Sequence, residues 1–307
     1  MMDRDWIKIA FIYVGTVIGA GFASGREIVE FFAKYGLKGI IGLTVAGILF
    51  ALVGSLLLSK IYINKIKGFD DLVERMFGEK FGILLDTIMI VSLYTGYSVM
   101  ISGSGAIFKQ ELDASFTLGI IIMVILSFAV FLFQLEGLSF ISSALVPLLI
   151  VGIVFTSLYL IIKGRYNLYA INEGSNIIHK GNFIISSLLY IGSNSLIIIT
   201  VFSSLLPLIN NQKTAILGGM AGGVILYILG LSILLIMLLY YPEIETMDIP
   251  MLRLSHYIGK NYRKFYAIIL WIAIFTTAIA NGSSFINRFS KVKYKIPLTI
   301  FFCISAI

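Results

Sequence analysis

Charged residues and cysteine are scarce in this sequence. The first scarcity excludes a soluble fold, and the second excludes an intrachain disulfide and a cysteine-rich metal site. Only 13% of its 307 residues are charged and 59% are hydrophobic, whereas a soluble domain has about 25% and roughly 45–50%. A soluble fold of this length needs more polar cover for its surface, so that class is excluded. The single cysteine, Cys303, can neither pair within the chain nor build a cysteine-rich metal cluster.

Patterns typical of enzymes and of nucleic-acid-binding proteins are also lacking. No nucleophile is paired with a base and no metal ligands cluster among the apolar runs, so we expect neither an enzyme nor a catalytic cofactor. The basic residues form short clusters at 60–80 and 288–295, between apolar runs, rather than a stripe with interleaved aromatics. Nucleic acid is therefore not an expected partner.

Long apolar runs are what the sequence does contain. A helix needs roughly 20 apolar residues to cross a hydrocarbon core of about 30 Å. Eight runs are long enough, near 7–24, 37–59, 83–108, 116–135, 138–162, 182–202, 215–240 and 265–287. With a mean hydropathy of +0.99, we predict an all-α polytopic transmembrane helix bundle in the cell membrane, with the lipid bilayer as partner.

The C-terminal apolar run and the two basic clusters add to this prediction. A ninth apolar run begins near residue 296 and stops after twelve residues, so we expect the chain to be truncated within span nine. The two tight basic clusters face the same side in this topology, which favours a cytoplasmic N-terminus.

Span one contains the stretch GTVIGAGFASG (15–25), with four glycines that weaken a helix. One interpretation is close packing of a continuous helix, because Gly15 and Gly19, like Gly21 and Gly25, have the small-xxx-small spacing. The other is an interrupted helix, which a membrane tolerates only where protein, water or ligand satisfies the freed peptide groups. An interruption would therefore mark a cavity that can hold an anionic group and a cation.

A second polar tetrapeptide favours the interrupted helix. Gly192-Ser193-Asn194-Ser195 lies at the centre of span six, with apolar residues on both sides. Breaks in spans one and six would hold the same position in two five-span units, as in an inverted repeat. The units are 1–162 and 182–307, joined by an outer loop at 163–181. The alternative for this tetrapeptide is polar packing between two continuous helices.

The segment IYVGTVIGAGFASGREIVEFF (12–32) resembles the first span of the YkvI-like bacterial membrane proteins. That group is similar to the LeuT-type, amino acid–polyamine–cation superfamily of transporters. The resemblance implies a five-plus-five inverted repeat with discontinuous spans one and six and alternating access to a central site. It places a small-molecule substrate at Gly19, Ala20, Gly21, Tyr190, Gly192, Ser193, Asn194 and Ser195, with a hydroxyl from Tyr94 or Tyr97.

The same resemblance suggests where a coupling ion binds. Thr276, Thr277 and Ala273 in span eight match the pattern of sodium-coupled relatives, and the matching span-one positions are Gly15 and Ile18. Five uncharged oxygens suit a weakly held hard cation. Threonines in membrane helices also bond their own backbone, so proton coupling stays open.

Candidate proton carriers and gates are few. Asp86 and Glu136 are the acids we place near apolar runs, and we expect both to reach the membrane interface. Arg26 is the candidate gate residue, since relatives carry an arginine nearby that closes the outer mouth. The loop at 241–264 contains MLRLSHYIG, which we interpret as a short helix lying over the mouth or as a solvated connector.

The leading prediction is a secondary active transporter of a small amino-acid-like solute, coupled to sodium or protons. The alternative is a non-transporting nutrient receptor subunit similar to the B subunit of spore germinant receptors, with partner subunits. A third interpretation is a fragment without activity of its own.

Overall fold

The structure, a computed structural model, describes residues 5–163, 181–288, 299, 302 and 303, and the regular elements there are helices. In chain order they are α1 (Asp5–Val17), α2 (Ala20–Ser24), α3 (Arg26–Phe31), α4 (Leu37–Asn64), α5 (Phe69–Glu111), α6 (Phe116–Leu132), α7 (Gln134–Lys163), α8 (Phe183–Ser203), α9 (Gln212–Leu239), α10 (Tyr241–Ile244), α11 (Pro250–Ser255) and α12 (Lys260–Arg288). Short 3-10 helices lie at Ala33–Tyr35 and Leu206–Leu208.

The predicted fold class is confirmed. Six of the described helices are long and apolar enough to cross a membrane, namely α4, α5, α7, α8, α9 and α12. The 17-residue α6 is roughly 26 Å long at 1.5 Å per residue, close to the thickness of a hydrocarbon core. The three short helices α1, α2 and α3 together cover span one, so all eight predicted runs are helical.

Polar contacts between helix ends define two faces of the bundle. On the first, the Asp5 face, Asn210 donates to Asp5 at 2.6 Å. On the opposite face, which we call the lid face because α10 and α11 lie there, Lys264 at the start of α12 donates to Asp113 at 2.6 Å. Each span therefore runs from one face to the other.

Glycines bring α9 and α4 into backbone contact. A Cβ atom at Gly219 would lie 2.4 Å from the Ser55 nitrogen, and one at Gly223 would lie 2.4 Å from the Ala51 nitrogen. These distances leave no room for any side chain. In a membrane, where apolar surface gives little driving force between helices, such close packing is a main source of association.

The most enclosed of the described spans is α12, which packs against α1, α2, α5, α6 and α7. Because it is surrounded by helices, its polar residues Thr276 and Thr277 face protein rather than lipid and are 1% and 7% exposed. At the Asp5 face its last residue, Arg288, pairs with Asp86 of α5 and stacks over the ring of Phe69, 4.3 Å from the ring centroid.

Span one is interrupted, as predicted, and the continuous-helix interpretation is wrong. Helix α1 ends at Val17 and α2 begins at Ala20. A second change of direction follows at Gly25, whose φ of 83° is a left-handed conformation that glycine adopts without strain. The far half of span one is therefore two short helices, α2 and α3.

Span six is not interrupted where the sequence analysis predicts it, and that part of the prediction is wrong. Helix α8 continues through Gly192, Ser193, Asn194 and Ser195 and ends at Ser203. The three polar side chains bond carbonyl groups of their own helix: Ser193 and Asn194 donate to Tyr190 at 2.9 and 3.0 Å, and Ser195 donates to Ile191 at 2.7 Å. Bonds of this kind satisfy polar side chains without unwinding the helix.

Two predictions concern stretches that the structure describes only in part. The connecting loop at 163–181 is described only at its two ends, and the final apolar run from residue 296 only at residues 299, 302 and 303.

Candidate functional site

The break in span one leaves several peptide groups without helical partners. The Ile18 amide donates to Val14 at 2.9 Å, the Gly19 amide turns back to Val17 at 2.9 Å, and the next helical bond is Ala23 to Gly19 at 3.0 Å. In the described part of the chain, the amides of Ala20 and Gly21 and the carbonyls of Gly15 and Ile18 therefore have no backbone partner. The amides can bind an anionic group and the carbonyls a cation.

Three of the five residues of the predicted sodium site, Gly15, Ile18 and Thr277, contact one another at this break. Thr277 of α12 places its hydroxyl oxygen 3.1 Å from the Ile18 carbonyl oxygen and 3.4 Å from that of Gly15. The Thr276 hydroxyl donates to the Ala273 carbonyl at 3.0 Å, within α12. All five residues thus lie on two touching segments, α12 and the end of α1.

The chemistry of this oxygen cluster fits a weakly held alkali cation. Its donors are carbonyl and hydroxyl oxygens, which hard cations prefer, and none carries a formal charge. In the structure the Thr277 hydroxyl satisfies the freed carbonyls by donating to them. A cation would replace that donated proton as the positive partner, with the hydroxyl turned so that its lone pair faces the ion.

Space around the break is tightly limited on the cation side. A Cβ atom at Gly15 would lie 3.1 Å from Val146 of α7, and one at Gly19 would lie 3.5 Å from the Thr277 hydroxyl. Replacing either glycine with a bulky residue would push α12 or α7 away from the oxygen cluster.

Ala20 and Gly21 line a cavity of about 290 Å³ that lies towards the lid face. Its other walls come from Gly103 and Ile107 of α5, from Leu270 of α12, and from the segment that carries Asp248. A volume of this order lies at the lower end of the range for small-molecule sites. The free amides of α2 therefore adjoin a space in which a small solute fits.

The predicted gate residue, Arg26, binds the stretch 241–257, which contains α10 and α11 and which we call the lid segment, to span one. Its guanidinium donates to the carbonyl oxygens of Glu245 at 2.9 Å and Met247 at 3.1 Å, and it pairs with Glu30. The predicted lid is a short helix, α11, whose Met251 side chain would lie 3.1 Å from a Cβ atom at Gly25. Arg26 thus contacts the lid through backbone carbonyls.

Polar contacts within the lid segment join its two ends. The Tyr257 hydroxyl lies 2.6 and 2.7 Å from the two carboxylate oxygens of Glu243, and Arg253 pairs with the same carboxylate at 3.2 Å. The hydrogen bond to Glu243 raises the pKa of Tyr257, so the phenol keeps its proton at neutral pH.

The tyrosines predicted on span three have other partners. Tyr97 is fully buried, donates to the Cys303 sulfur at 3.6 Å and stacks on Phe302. The Tyr94 ring packs near Phe285 and Phe302. Neither tyrosine lines the cavity beside Ala20 and Gly21, which α5 reaches through Gly103 and Ile107 instead.

Span six contributes Tyr190 to span one, but the tetrapeptide after it lies apart. The Tyr190 ring packs against Phe31 and Phe32, with centroid distances of 5.2 and 5.1 Å. Gly192 and Ser193 are exposed, and a Cβ atom at Gly192 would have no neighbour within 4 Å. The described part of the structure therefore does not bring residues 192–195 to the break.

The acids predicted from the sequence, Asp86 and Glu136, are not the acid that lies against the glycine-rich stretch of span one. Asp86 is paired with Arg288, and Glu136 is exposed. Glu27 instead turns back over Gly21, and its Oε2 atom is buried without a hydrogen-bond partner in the described part of the chain. The sequence places Glu27 just after the glycine-rich stretch and before the apolar residues Ile28 and Val29, but it does not show that the side chain folds back onto Gly21.

Comparison with known proteins identifies relatives and a shared fold. The chain is 31% identical over 276 residues to the uncharacterised membrane protein YkvI of Bacillus subtilis, covering 89% of this chain and 78% of that protein. It is 23% identical over 282 residues to YyaD of the same organism, covering 91% of this chain and 80% of the relative. The sequence matches no protein-family model.

Solved structures with the same fold are membrane transporters. A crystal structure of a mutant manganese transporter from Eremococcus coleocola superposes with a TM-score of 0.66 at 13% identity, covering 100% of this chain and 71% of that one. The same transporter in complex with an aromatic bis-isothiourea compound also gives 0.66 at 13% identity, covering 99% and 69%. This similarity establishes the fold.

Proposed function

The chain belongs to the YkvI family of bacterial membrane proteins, and on that premise we propose that it is a secondary active transporter of a small amino-acid-like solute, coupled to a cation gradient. The observation that carries the proposal is the break between Val17 and Ala20. There, Ala20 and Gly21, whose amides have no backbone partner among the described residues, line a cavity. The carbonyls of Gly15 and Ile18 lie against the Thr277 hydroxyl.

The solute is proposed to bind through its carboxylate at the amides of Ala20 and Gly21. Peptide N–H groups at a helix start carry partial positive charge and suit an anionic head group. The shared fold alone does not carry over the manganese of the structural neighbour. The described residues also hold no group of three or more His, Cys, Asp or Glu side chains, the ligands that could bind a metal ion together.

The coupling cation is proposed to bind at the Thr277 cluster, with sodium as the ion that its uncharged oxygens suit best. Solute and cation would then share one broken segment, with Ala20 and Gly21 on one side and Gly15 and Ile18 on the other. Movement of that segment would expose both sites together to alternate faces, which is how such broken helices support alternating access. The inverted repeat and a cytoplasmic N-terminus remain part of this proposal.

The test is uptake by proteoliposomes of a labelled amino-acid mixture, measured with a sodium gradient, with a proton gradient and with neither. We expect uptake to depend on a gradient and to fall to background in Gly21→Leu, whose side chain would displace the Glu27 side chain that lies against Gly21 and disturb the start of α2. Gly192→Leu is the matched control, because the same added bulk meets no neighbour within 4 Å there.

Each outcome separates the candidate functions. Equilibrium binding of the mixture with no uptake under any gradient would favour a nutrient receptor subunit over a transporter. Equal uptake by the wild-type protein and Gly21→Leu would remove the solute site from the break.

A further inference from the structure

Glu27 is a half-buried acid, with its Oε2 atom fully buried, that the proposed sodium cluster and solute site leave unused. It is the second residue of α3, and its side chain folds back along span one to cover Gly21. A Cβ atom at Gly21 would lie 2.2 Å from Glu27 Oε1 and 2.8 Å from its Cδ. Glycine at position 21 therefore makes room for this carboxyl group beside the proposed solute site.

The Oε2 atom of the carboxyl group has aromatic side chains around it and accepts no hydrogen bond from any described residue. Within the described residues, neither Glu27 Oε2 nor the Tyr190 hydroxyl has a hydrogen-bond partner. The two groups are close enough to interact electrostatically, and the Tyr190 ring is enclosed by Phe31, Phe32 and Phe50. An ionised carboxylate in such a place loses the hydration of its Oε2 atom and gains no hydrogen bond there in return.

Nearby cations do not supply the missing counter-charge, because other groups already hold them. The titratable and charged groups that interact with Glu27 or with its neighbours in α3 are Tyr190 of α8, Tyr13 of α1, Arg26 and Glu30 of α3, Lys34 of the following 3-10 helix, and Tyr241 and Glu245 of the lid segment. Arg26 is bound to Glu30 and to two lid carbonyls, and Lys34 lies 3.9 Å from Glu30. Tyr241 donates to Glu245, and Tyr13 donates to the Phe50 carbonyl.

We propose that Glu27 is a proton-binding site, protonated while α2 and α3 pack as they do here and ionised when they separate from α8. The step is an acid–base exchange: an O–H bond forms on the carboxylate with a proton from water, and the same bond breaks to return the proton to water. The packed arrangement leaves Oε2 without a donor, and a neutral carboxylic acid has the smaller desolvation cost there.

This proposal rests on the transport function proposed above and adds a second coupling ion to it. A group that is neutral when buried and charged when hydrated ties proton uptake to the closing of span one and proton release to its opening. Because Glu27 lies on Gly21, the proton site adjoins the solute cavity and is separate from the oxygen cluster at Thr277.

Infrared spectroscopy tests the protonation directly and needs no transported solute. The wild-type protein and the variants Glu27→Gln and Glu136→Gln are titrated in detergent between about pH 5 and about pH 9, a range in which exposed glutamates are ionised. Glu136 is exposed, and its replacement leaves the pairs of Arg26 and Lys34 with Glu30 intact. We expect a carboxylic-acid carbonyl band that persists into this range in the wild-type protein and in Glu136→Gln, and that is missing in Glu27→Gln. Identical spectra for the wild-type protein and Glu27→Gln would overturn the proposal.

Thiol labelling tests the link between the proton and the movement. In a Cys303→Ala background, Ala106→Cys places a thiol on the cavity wall, and Asn261→Cys, in the exposed first turn of α12, gives a reference that corrects for the pH dependence of the reagent. We expect the maleimide labelling ratio of Ala106→Cys to Asn261→Cys to rise several-fold with pH, and Glu27→Gln to hold it at its low-pH value. An equal rise in Glu27→Gln would contradict the proposal.

Two further results test the proton site separately from the proposed transport function. If the wild-type protein shows no acid band in this pH range, with or without the amino-acid mixture, Glu27 is ionised in the packed arrangement and the proton-site proposal is wrong. If the wild-type protein shows the band and the pH-dependent labelling but no uptake, the proton site stands and the transport function fails.

Discussion

The hydroxyl oxygen of Thr277 lies 3.1 Å from the carbonyl oxygen of Ile18, although 259 positions of the chain separate the two residues. Ile18 offers that carbonyl because span one stops being helical there. Thr277 reaches it because α12 is enclosed by other spans, so that its hydroxyl faces protein rather than lipid. This contact joins the first and eighth spans at the proposed ion site.

Removing the Thr277 hydroxyl should weaken sodium coupling. Thr277→Val keeps the shape of the side chain but loses one oxygen, and we expect the apparent sodium affinity of uptake to fall by roughly 10-fold or more, which corresponds to about 1–3 kcal/mol. Thr277→Ser, which keeps the oxygen, should retain most of the affinity. The measurement is uptake as a function of sodium concentration.

Thr16→Val is the matched control for that experiment. Thr16 is a buried neighbour on α1 whose hydroxyl donates to Ile12 of its own helix at 2.7 Å. An equal loss of sodium dependence in Thr16→Val and Thr277→Val would point to a general packing defect instead of a lost ligand.

Truncating Arg26 should loosen the lid. In Arg26→Ala both hydrogen bonds to the carbonyls of Glu245 and Met247 are lost, and because the guanidinium is partly exposed we expect a cost of about 1–2 kcal/mol. Amide hydrogen exchange at residues 245–251 should then accelerate roughly 10-fold. Lys34→Ala removes a nearby charge that does not touch the lid, and it should leave exchange there unchanged.

Breaking the ion pair at the Asp5 face should destabilise the protein. Arg288 and Asp86 have side chains only 9% and 27% exposed, so Asp86→Asn leaves a buried guanidinium without its counter-charge at a cost of about 3 kcal/mol. Thermal unfolding in detergent is the measurement. The double variant Asp86→Asn with Arg288→Met should recover much of the loss, and failure to recover any of it would argue against a charge effect.

The continuity of α8 can be tested at Gly192. In an uninterrupted helix with open space around this position, Gly192→Ala should stabilise the protein by about 0.5–1 kcal/mol and leave uptake unchanged. If span six unwinds at this point in the working protein, alanine will oppose the unwinding and uptake will fall. Thermal unfolding and uptake, measured on the same preparation, distinguish the two outcomes.

The sequence predicted span one better than span six for a physical reason. In span one, Gly15, Gly19, Gly21 and Gly25 lack side chains that could satisfy the backbone, so a break needs outside partners and signals a site. In span six, Ser193, Asn194 and Ser195 carry their own donors, which bond the preceding turn and keep the helix intact. Composition alone does not distinguish these cases.

Other features depended on packing that no local pattern encodes. Glu27 is close in sequence to Arg26 and Glu30, and the cluster has the composition of an interfacial helix end. Its burial follows from the left-handed turn at Gly25 and from the contact of α3 with Tyr190 of α8. The contact of Tyr97 with Cys303 joins residues 206 positions apart, which likewise could not be predicted from either neighbourhood.

Amide hydrogen exchange at Ala20 and Gly21 tests the central claim most directly, because the claim is that these two peptide groups are free and bind the solute. We predict fast exchange in the purified protein alone and at least roughly 10-fold slower exchange in the presence of the amino-acid mixture with sodium chloride. Slow exchange without solute, as in an unbroken helix, or exchange that the mixture and sodium leave unchanged, would contradict the account.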